Sequence, residues 1–131
     1  MSRIIKFRAW RKGAMTYEHS FNINIAGQIY FLDETGEWQM DEDNEVTIMQ
    51  FTGLPDKNGK EIWEGDIVTA AWMHHGKPGA PFRAYILYNE HIGSFRIGYD
   101  SLGGGSQDEI YFRHQVEVIG NIYENPELLK P

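Results

Sequence analysis

The chain has 131 residues, a formal net charge of −7, 41% hydrophobic residues and no cysteine. This length suits one domain, or one domain with an extension, and the hydrophobic fraction suffices for a folded core. The missing cysteines exclude disulfides, thiolate nucleophiles and cysteine metal sites, and the negative charge disfavours binding to nucleic-acid phosphates. Because no apolar run reaches the ~18 residues of a membrane span and the amino terminus lacks an apolar signal region, we expect a soluble cytoplasmic protein with no membrane partner.

Helical periodicity is nearly absent from the chain. Its apolar residues instead form short runs rich in β-branched and aromatic side chains, separated by Gly, Asn, Asp and Pro. This pattern indicates an all-β protein with little helix. Near the amino terminus the predicted strands are Ile4–Trp10, Ala14–Tyr17, Gln28–Leu32 and Val46–Gln50. Arg11–Gly13 should join the first two strands as a hairpin, Asp33–Gly36 predicts another turn, and Asp41–Glu45 predicts an acidic loop.

In the remainder of the chain, Asn58-Gly59 is a strong hairpin signal because both residues tolerate φ > 0. The predicted strands here are Lys60–Trp63, Ile67–Met73, Phe82–Tyr88, Ser94–Gly98 and Val116–Tyr123. His74–Pro81 predicts a loop, and Leu102–Gln107, with its three glycines, predicts the most flexible segment. Glu124–Leu129 suits one helical turn.

The stretch Glu64–Val68 reads Glu-Gly-Asp-Ile-Val. Gly65 can adopt φ > 0 where the chain reverses, and Asp66 can accept hydrogen bonds from neighbouring backbone N–H groups. Such an entry resembles the opening of a strand in small SH3-like barrels. We therefore predict an SH3-like β-barrel in residues 46–131 and an N-terminal β extension in residues 1–45.

Residue patterns for metal binding and catalysis are incomplete. His74 and His75 are adjacent, so in a strand they would face opposite sides and could not share a metal ion. Asp41-x-Asp43-x-Glu45 resembles the start of a calcium loop but lacks the required Gly and the final Glu. No Gly-rich phosphate loop or serine elbow occurs. The sequence predicts no cofactor, no metal site and no catalytic residues, hence no enzyme.

Three blocks carry a family resemblance: Ile5–Trp10 (IKFRAW), Met49–Val68 (MQFTGLPDKNGKEIWEGDIV) and Val118–Leu129 (VIGNIYENPELL). Together they resemble the signatures of the YopX-type proteins encoded by bacterial phages and prophages. The resemblance implies an all-β protein with an SH3-type barrel that works in the host cytoplasm. It implies no activity, substrate or catalytic residue.

Two hypotheses for function follow, and an enzyme of unknown class is a third. The first is a non-catalytic protein-interaction or assembly module, self-association included, because small β-barrels bind through loops and strand edges. Its candidate anchors, if exposed, are Trp63, Trp72 and Tyr85. The second is a nucleic-acid-associated accessory protein that uses a basic N-terminal strand. Its candidate residues, if they share one face, are Arg3, Lys6, Arg8, Arg11 and Lys12.

Overall fold

The computed structural model describes residues 4–17, 20–71, 73–98, 107–109 and 116–130. Within these residues the fold is all-β, as predicted, and the only helical element is a 3-10 helix at Pro126–Leu129. The chain divides into two compact units, residues 6–50 and residues 51–130 with residues 4–5. This division falls inside a strand, whereas the sequence placed a domain boundary between residues 45 and 46, and that boundary stays a prediction.

The unit formed by residues 6–50 contains two antiparallel sheets. Its strands are β1 (Phe7–Arg11), β2 (Ala14–Thr16), β3 (Phe21–Ile23), β4 (Ile29–Leu32), β5 (Trp38–Met40) and the first part of β6 (Thr47–Pro55). β1 pairs with both β2 and residues 47–50 of β6, and β3, β4 and β5 form a separate sheet in that order. The β1–β2 hairpin is confirmed, and Lys12 (φ 49°) and Gly13 (φ 77°) form its turn.

The unit that begins at residue 51 holds the main hydrophobic core. Its further strands are β7 (Glu61–Trp63), β8 (Asp66–Ala70), β9 (Met73–His74), β10 (Lys77–Pro78), β11 (Phe82–Asn89), β12 (Ser94–Gly98), β13 (Gln107–Glu109) and β14 (Glu117–Asn121). Five of them form an antiparallel sheet in the order β13-β12-β11-β8-β14. The core side chains are Ile62, Val68, Ala70, Ala84, Ile86, Ile97, Val116 and Val118. This sheet is consistent with an SH3-like barrel, and that finer assignment stays a prediction.

The hairpin between β6 and β7 depends on the buried carboxylate of Asp56. Its Oδ1 accepts hydrogen bonds from the N–H groups of Asn58 (2.8 Å) and Lys60 (2.9 Å), and its Oδ2 accepts one from the N–H of Val118 in β14 (2.9 Å). Burial raises the pKa of Asp56, but these backbone donors and the charge of Lys60 outweigh burial and hold the pKa below its usual value. One side chain thus fixes the turn and ties it to the sheet.

The turn of that hairpin differs from the predicted type. The sequence suggested positive φ at both Asn58 and Gly59, yet only Gly59 has one (82°). Gly59 N–H donates to the Asp56 carbonyl (3.0 Å), and Asp56 N–H donates to the Lys60 carbonyl (2.7 Å). This is the pattern of a three-residue loop with glycine in the left-handed position. The Asp56 carboxylate favours it because it accepts from the loop's own N–H groups.

Around β8 the predicted turn is confirmed, but the predicted strand and the loop after it differ from the structure. Gly65 has φ 86°, and Asp66 Oδ2 accepts the Trp63 N–H at 2.7 Å, as expected for this turn. The predicted strand Ile67–Met73 is too long, because β8 ends at Ala70. The predicted loop His74–Pro81 instead contains the end of a small hairpin, β9–β10, whose turn residues His75 and Gly76 both have positive φ.

The carboxy-terminal prediction is confirmed in outline. The 3-10 helix supplies the expected helical turn, but none of its residues is fully buried. Arg83 Nη1 in β11 donates to the Leu128 carbonyl at 3.1 Å and holds the turn against the sheet. The glycine-rich segment Leu102–Gln107 lies outside the described residues except for Gln107. Within the described residues, no helix has the length and apolar character needed to cross a bilayer.

Candidate functional site

The aromatic residues proposed as binding anchors are core residues. Trp63 and Tyr85 are each 5% exposed. The Trp63 ring packs against Phe51 with a centroid separation of 5.6 Å, and Tyr85 packs so closely on Gly98 that a Cβ there would lie 2.9 Å from Tyr85 Cζ. Neither side chain can be an exposed anchor, so the exposure that the prediction required is missing. Trp72 lies outside the described residues.

The basic residues of the amino-terminal strand do not form one charged face. Arg8 is 2% exposed, and its Nη1 lies 3.4 Å from the Tyr17 hydroxyl. Arg11 lies over the Phe31 ring, 3.7 Å from its centroid, and forms an ion pair with Glu45 at 3.5 Å. Arg8 and Arg11 are three positions apart in β1 and therefore point to opposite faces.

Among the described residues, the other basic residues of the nucleic-acid hypothesis do not supply the missing charged face. Lys6 is half-buried and Lys12 is exposed in the β1–β2 turn, while Arg3 lies outside the described residues. The condition for the nucleic-acid hypothesis, a common basic face, is thus not met by Arg8 and Arg11.

The β3–β4–β5 sheet presents an exposed apolar face that the sequence analysis did not single out. In the register of this sheet, Tyr30 lies opposite Met40 and Leu32 lies opposite Trp38. Because side chains alternate along a strand, these four residues share one face, here called the Trp38 face. Trp38 is 47% exposed and Met40 39%, and Tyr30 and Leu32 are half-buried.

A tightly bonded turn holds β5 in register with β4. Asp33 Oδ1 accepts from the Thr35 hydroxyl (2.6 Å), the Thr35 N–H (2.9 Å) and the Glu37 N–H (3.0 Å), and its Oδ2 accepts from Gln39 Nε2 (2.9 Å). The Thr35 hydroxyl, the Glu37 N–H and the Gln39 amide hold the pKa of Asp33 well below its usual value. This turn therefore presents β5 as a preformed strand at neutral pH.

β5 is an edge strand whose outward peptide groups can be identified. Asp33 N–H donates to the Glu37 carbonyl and Asp41 N–H to the Ile29 carbonyl, each at 2.8 Å. Residues 37, 39 and 41 therefore bond inward to β4, and the peptide groups of Trp38 and Met40 point outward. Within the described residues, no strand pairs with that outer side. The Met40 carbonyl accepts from the Glu42 N–H at 3.0 Å.

The charge of the chain is concentrated around β5. Residues 33–45 contain seven acidic residues and no Lys, Arg or His. The formal charge of this segment thus equals that of the whole chain, and the remainder is formally neutral. The Asp41 carboxylate accepts hydrogen bonds from the N–H groups of Glu45 (2.9 Å) and Val46 (3.1 Å) and so fixes the conformation of the loop after β5. The edge of the sheet lies in a negative field.

Two further features belong to the same unit. Ile25 is fully exposed at the tip of the β3–β4 hairpin, where Asn24 Oδ1 accepts from the Ala26 N–H (2.9 Å) and the Gln28 N–H (3.0 Å). A cavity of about 190 Å³ is lined by side chains that include Arg11, Phe21 and Phe31. The arginine there is already engaged by Glu45.

Comparison with known proteins identifies the family. The family model described as YopX protein matches residues 6–130. The chain is similar to a solved structure, the crystal structure of protein EF1440 from Enterococcus faecalis, with 30% sequence identity and a TM-score of 0.62 over 98% of this chain and 100% of that one. No curated protein matches the chain. The resemblance in the three sequence blocks is thereby confirmed: the chain belongs to the YopX family.

Proposed function

We propose that the chain is a non-catalytic protein-interaction module of a phage or prophage, acting in the host cytoplasm, and that it contacts its partner through the Trp38 face. The observation that carries this proposal is the exposure of Trp38 and Met40 on one face of a rigidly held edge strand. Trp is among the residues most enriched at binding hot spots, and Met adapts to varied apolar surfaces.

Preorganisation supports this choice of surface. The Asp33 turn fixes β5 before any partner arrives, so little conformational entropy is lost when the strand is covered. Tyr30 and Leu32 extend the apolar area beside Trp38 and Met40, and an exposed patch of this kind marks an interaction site more often than scattered single residues do.

The carboxylates that accept hydrogen bonds from backbone N–H groups support a non-catalytic function. Asp33, Asp56 and Asp66 each accept backbone N–H groups in turns. The pKa values of Asp33 and Asp56 are lowered, whereas a general acid near neutral pH needs a raised one. These side chains organise the backbone, and the electrostatic pattern around β5 opposes binding to phosphates.

Affinity capture with matched variants tests the proposal. The immobilised full chain is compared with the double variant Trp38→Ser/Met40→Ser and with the control Tyr88→Ser/Ile92→Ser, whose targets are comparably exposed in the β11–β12 hairpin. A host or phage protein retained by the wild type and the control, but lost from the Trp38/Met40 variant, supports the proposal. Equal retention by all three chains would rule out the Trp38 face as the contact surface.

A further inference from the structure

We propose that the outer edge of β5 accepts an extended basic segment of the partner as an added antiparallel strand. This inference rests on the proposed function and specifies how the partner binds and which residues it must offer. The expected partner sequence alternates over five positions: basic, apolar, polar, apolar, basic.

Backbone geometry provides the first argument. The peptide groups of Trp38 and Met40 point away from β4, because the neighbouring Glu37 carbonyl and Asp41 N–H bond inward. The Met40 carbonyl already accepts a hydrogen bond from the Glu42 N–H. Among the described residues, three outward groups of β5 then remain without a strand partner: both groups of Trp38 and the Met40 N–H. An antiparallel strand would pair with these groups and extend the sheet with its existing hydrogen-bond pattern.

Side-chain alternation determines the apolar positions. Residues directly opposite each other in a sheet share a face. The two partner residues opposite Trp38 and Met40 would therefore enlarge the Trp38 face, where apolar side chains can pack on the exposed indole and thioether. The central partner residue would lie opposite Gln39, on the other face, where a polar side chain fits.

Charge determines the two outer positions. The partner residues beyond the apolar pair would lie opposite Glu37 and Asp41. Both acids belong to the segment 33–45, which carries no compensating basic residue of its own. Opposite charges directly across a strand pair are favourable, and like charges are unfavourable. Lys or Arg at both ends of the added strand is thus the matching choice.

The same geometry disfavours a second copy of this chain as the occupant. If β5 paired with its own copy about a two-fold axis at Gln39, each Glu37 would lie opposite the Asp41 of the other chain. Both pairs would be like-charged, in a field of seven acidic residues from each copy. A basic segment of a different protein avoids both the like-charged pairs and the repulsion between two acidic segments.

The experiment uses a synthetic peptide with the core Lys-Val-Thr-Val-Lys, flanked by Gly-Ser, blocked at both ends and labelled for fluorescence anisotropy with the full chain. Three peptides serve as comparisons. One has Glu in place of both Lys, one carries N-methyl groups on both Val amides, and one carries an N-methyl group on the Thr amide. The Val amides would face β5, and the Thr amide would face away.

We expect the Glu peptide and the doubly N-methylated Val peptide each to bind about tenfold more weakly than the Lys peptide. The N-methyl-Thr peptide should bind within about threefold of it, because the Thr amide makes no bond to β5. Binding of the Lys peptide should also weaken as salt screens the exposed charges.

Equal weakening by N-methylation at Val and at Thr, or no binding of the Lys peptide up to about 1 mM, would overturn strand addition. These results are distinguishable from failure of the proposed function. If capture depends on Trp38 and Met40 but peptide binding does not depend on N-methylation, the Trp38 face remains supported as the contact surface and only strand addition is ruled out. If capture is unaffected by the changes at Trp38 and Met40, the Trp38 face is ruled out as the contact surface as well.

Discussion

Replacing Asp56 by alanine should be among the most damaging single changes in the unit that begins at residue 51. The carboxylate is buried and accepts three backbone hydrogen bonds of 2.8 to 2.9 Å. Its loss removes a charged acceptor from Asn58, Lys60 and Val118 at once. The first two residues lie at the exposed turn, where their N–H groups can bond to water, but the Val118 N–H is buried with its residue.

The expected magnitude follows from that difference. An unsatisfied buried donor costs about 1–3 kcal/mol, and an exposed bond that is replaced by water costs less than about 1 kcal/mol. Asp56→Ala should therefore lower the free energy of unfolding by about 3 kcal/mol. Asp56→Asn should lower it less, since the amide oxygen can still accept from Asn58 and Lys60. Urea unfolding followed by tryptophan fluorescence measures both values.

The pH dependence supplies an independent check. Because the pKa of Asp56 is lower in the folded chain than in the unfolded chain, its stabilisation is present above the unfolded value of about 4 and is lost as pH falls through the folded value. The stability gap between wild type and Asp56→Asn should shrink in acid. Asp43→Ala, an exposed charge control, should change stability by less than about 0.5 kcal/mol. A loss below about 1 kcal/mol for Asp56→Ala at neutral pH would refute the reasoning.

Three other changes have defined outcomes. Gly120→Ala would place a Cβ 2.6 Å from Asn125 Oδ1, so urea unfolding should show a loss of about 1–2 kcal/mol, partly relieved by adding Asn125→Ala. Asp33→Ala should loosen the β4–β5 turn, seen as faster amide exchange of Asp41, whereas Asp43→Ala should leave that rate unchanged. Trp38→Ser should lower the free energy of unfolding by about 1–2 kcal/mol, because only about half of the residue is covered; a loss of about 3–5 kcal/mol would mean that Trp38 is a core residue.

Local turn chemistry made much of the fold predictable. The Lys12-Gly13 turn, the Gly65-Asp66 entry and the hairpin around Asn58-Gly59 depend on residues within five positions of each other, so sequence alone locates them. β11 was predicted within one residue because Phe82, Ala84, Ile86 and Tyr88 alternate along it, and β12 was predicted as its hairpin partner.

β3 and β5 escaped prediction because each is too short to show a strand pattern in the sequence. β3 and β5 have three residues each and a polar centre, Asn22 and Gln39. Neither run is long enough to show an alternation that differs from chance. Only their register with β4 makes them strands, and that register depends on turns whose hydrogen bonds involve the side chains of Asn24 and Asp33.

The candidate site was harder to predict than the fold. Trp63 and Tyr85 were chosen for their aromatic rings, but exposure depends on which face of a strand the core covers, and both rings are buried. The signal for β5 was present as Trp-Gln-Met between a turn and an acidic loop. Its meaning required the register that places Trp38 beside Leu32 and Met40 beside Tyr30.

The outward amides of β5 offer the most direct test of the claim that this edge and the Trp38 face form the contact surface. Amide exchange measured by NMR, with and without the Lys-Val-Thr-Val-Lys peptide, reports Trp38, Met40 and Asp41 separately. The account predicts fast exchange of Trp38 and Met40 in the free chain and strong protection on binding, with Asp41 unchanged because it already donates to Ile29. Peptide-induced protection confined to other strands, with Trp38 and Met40 still exchanging fast, would contradict it.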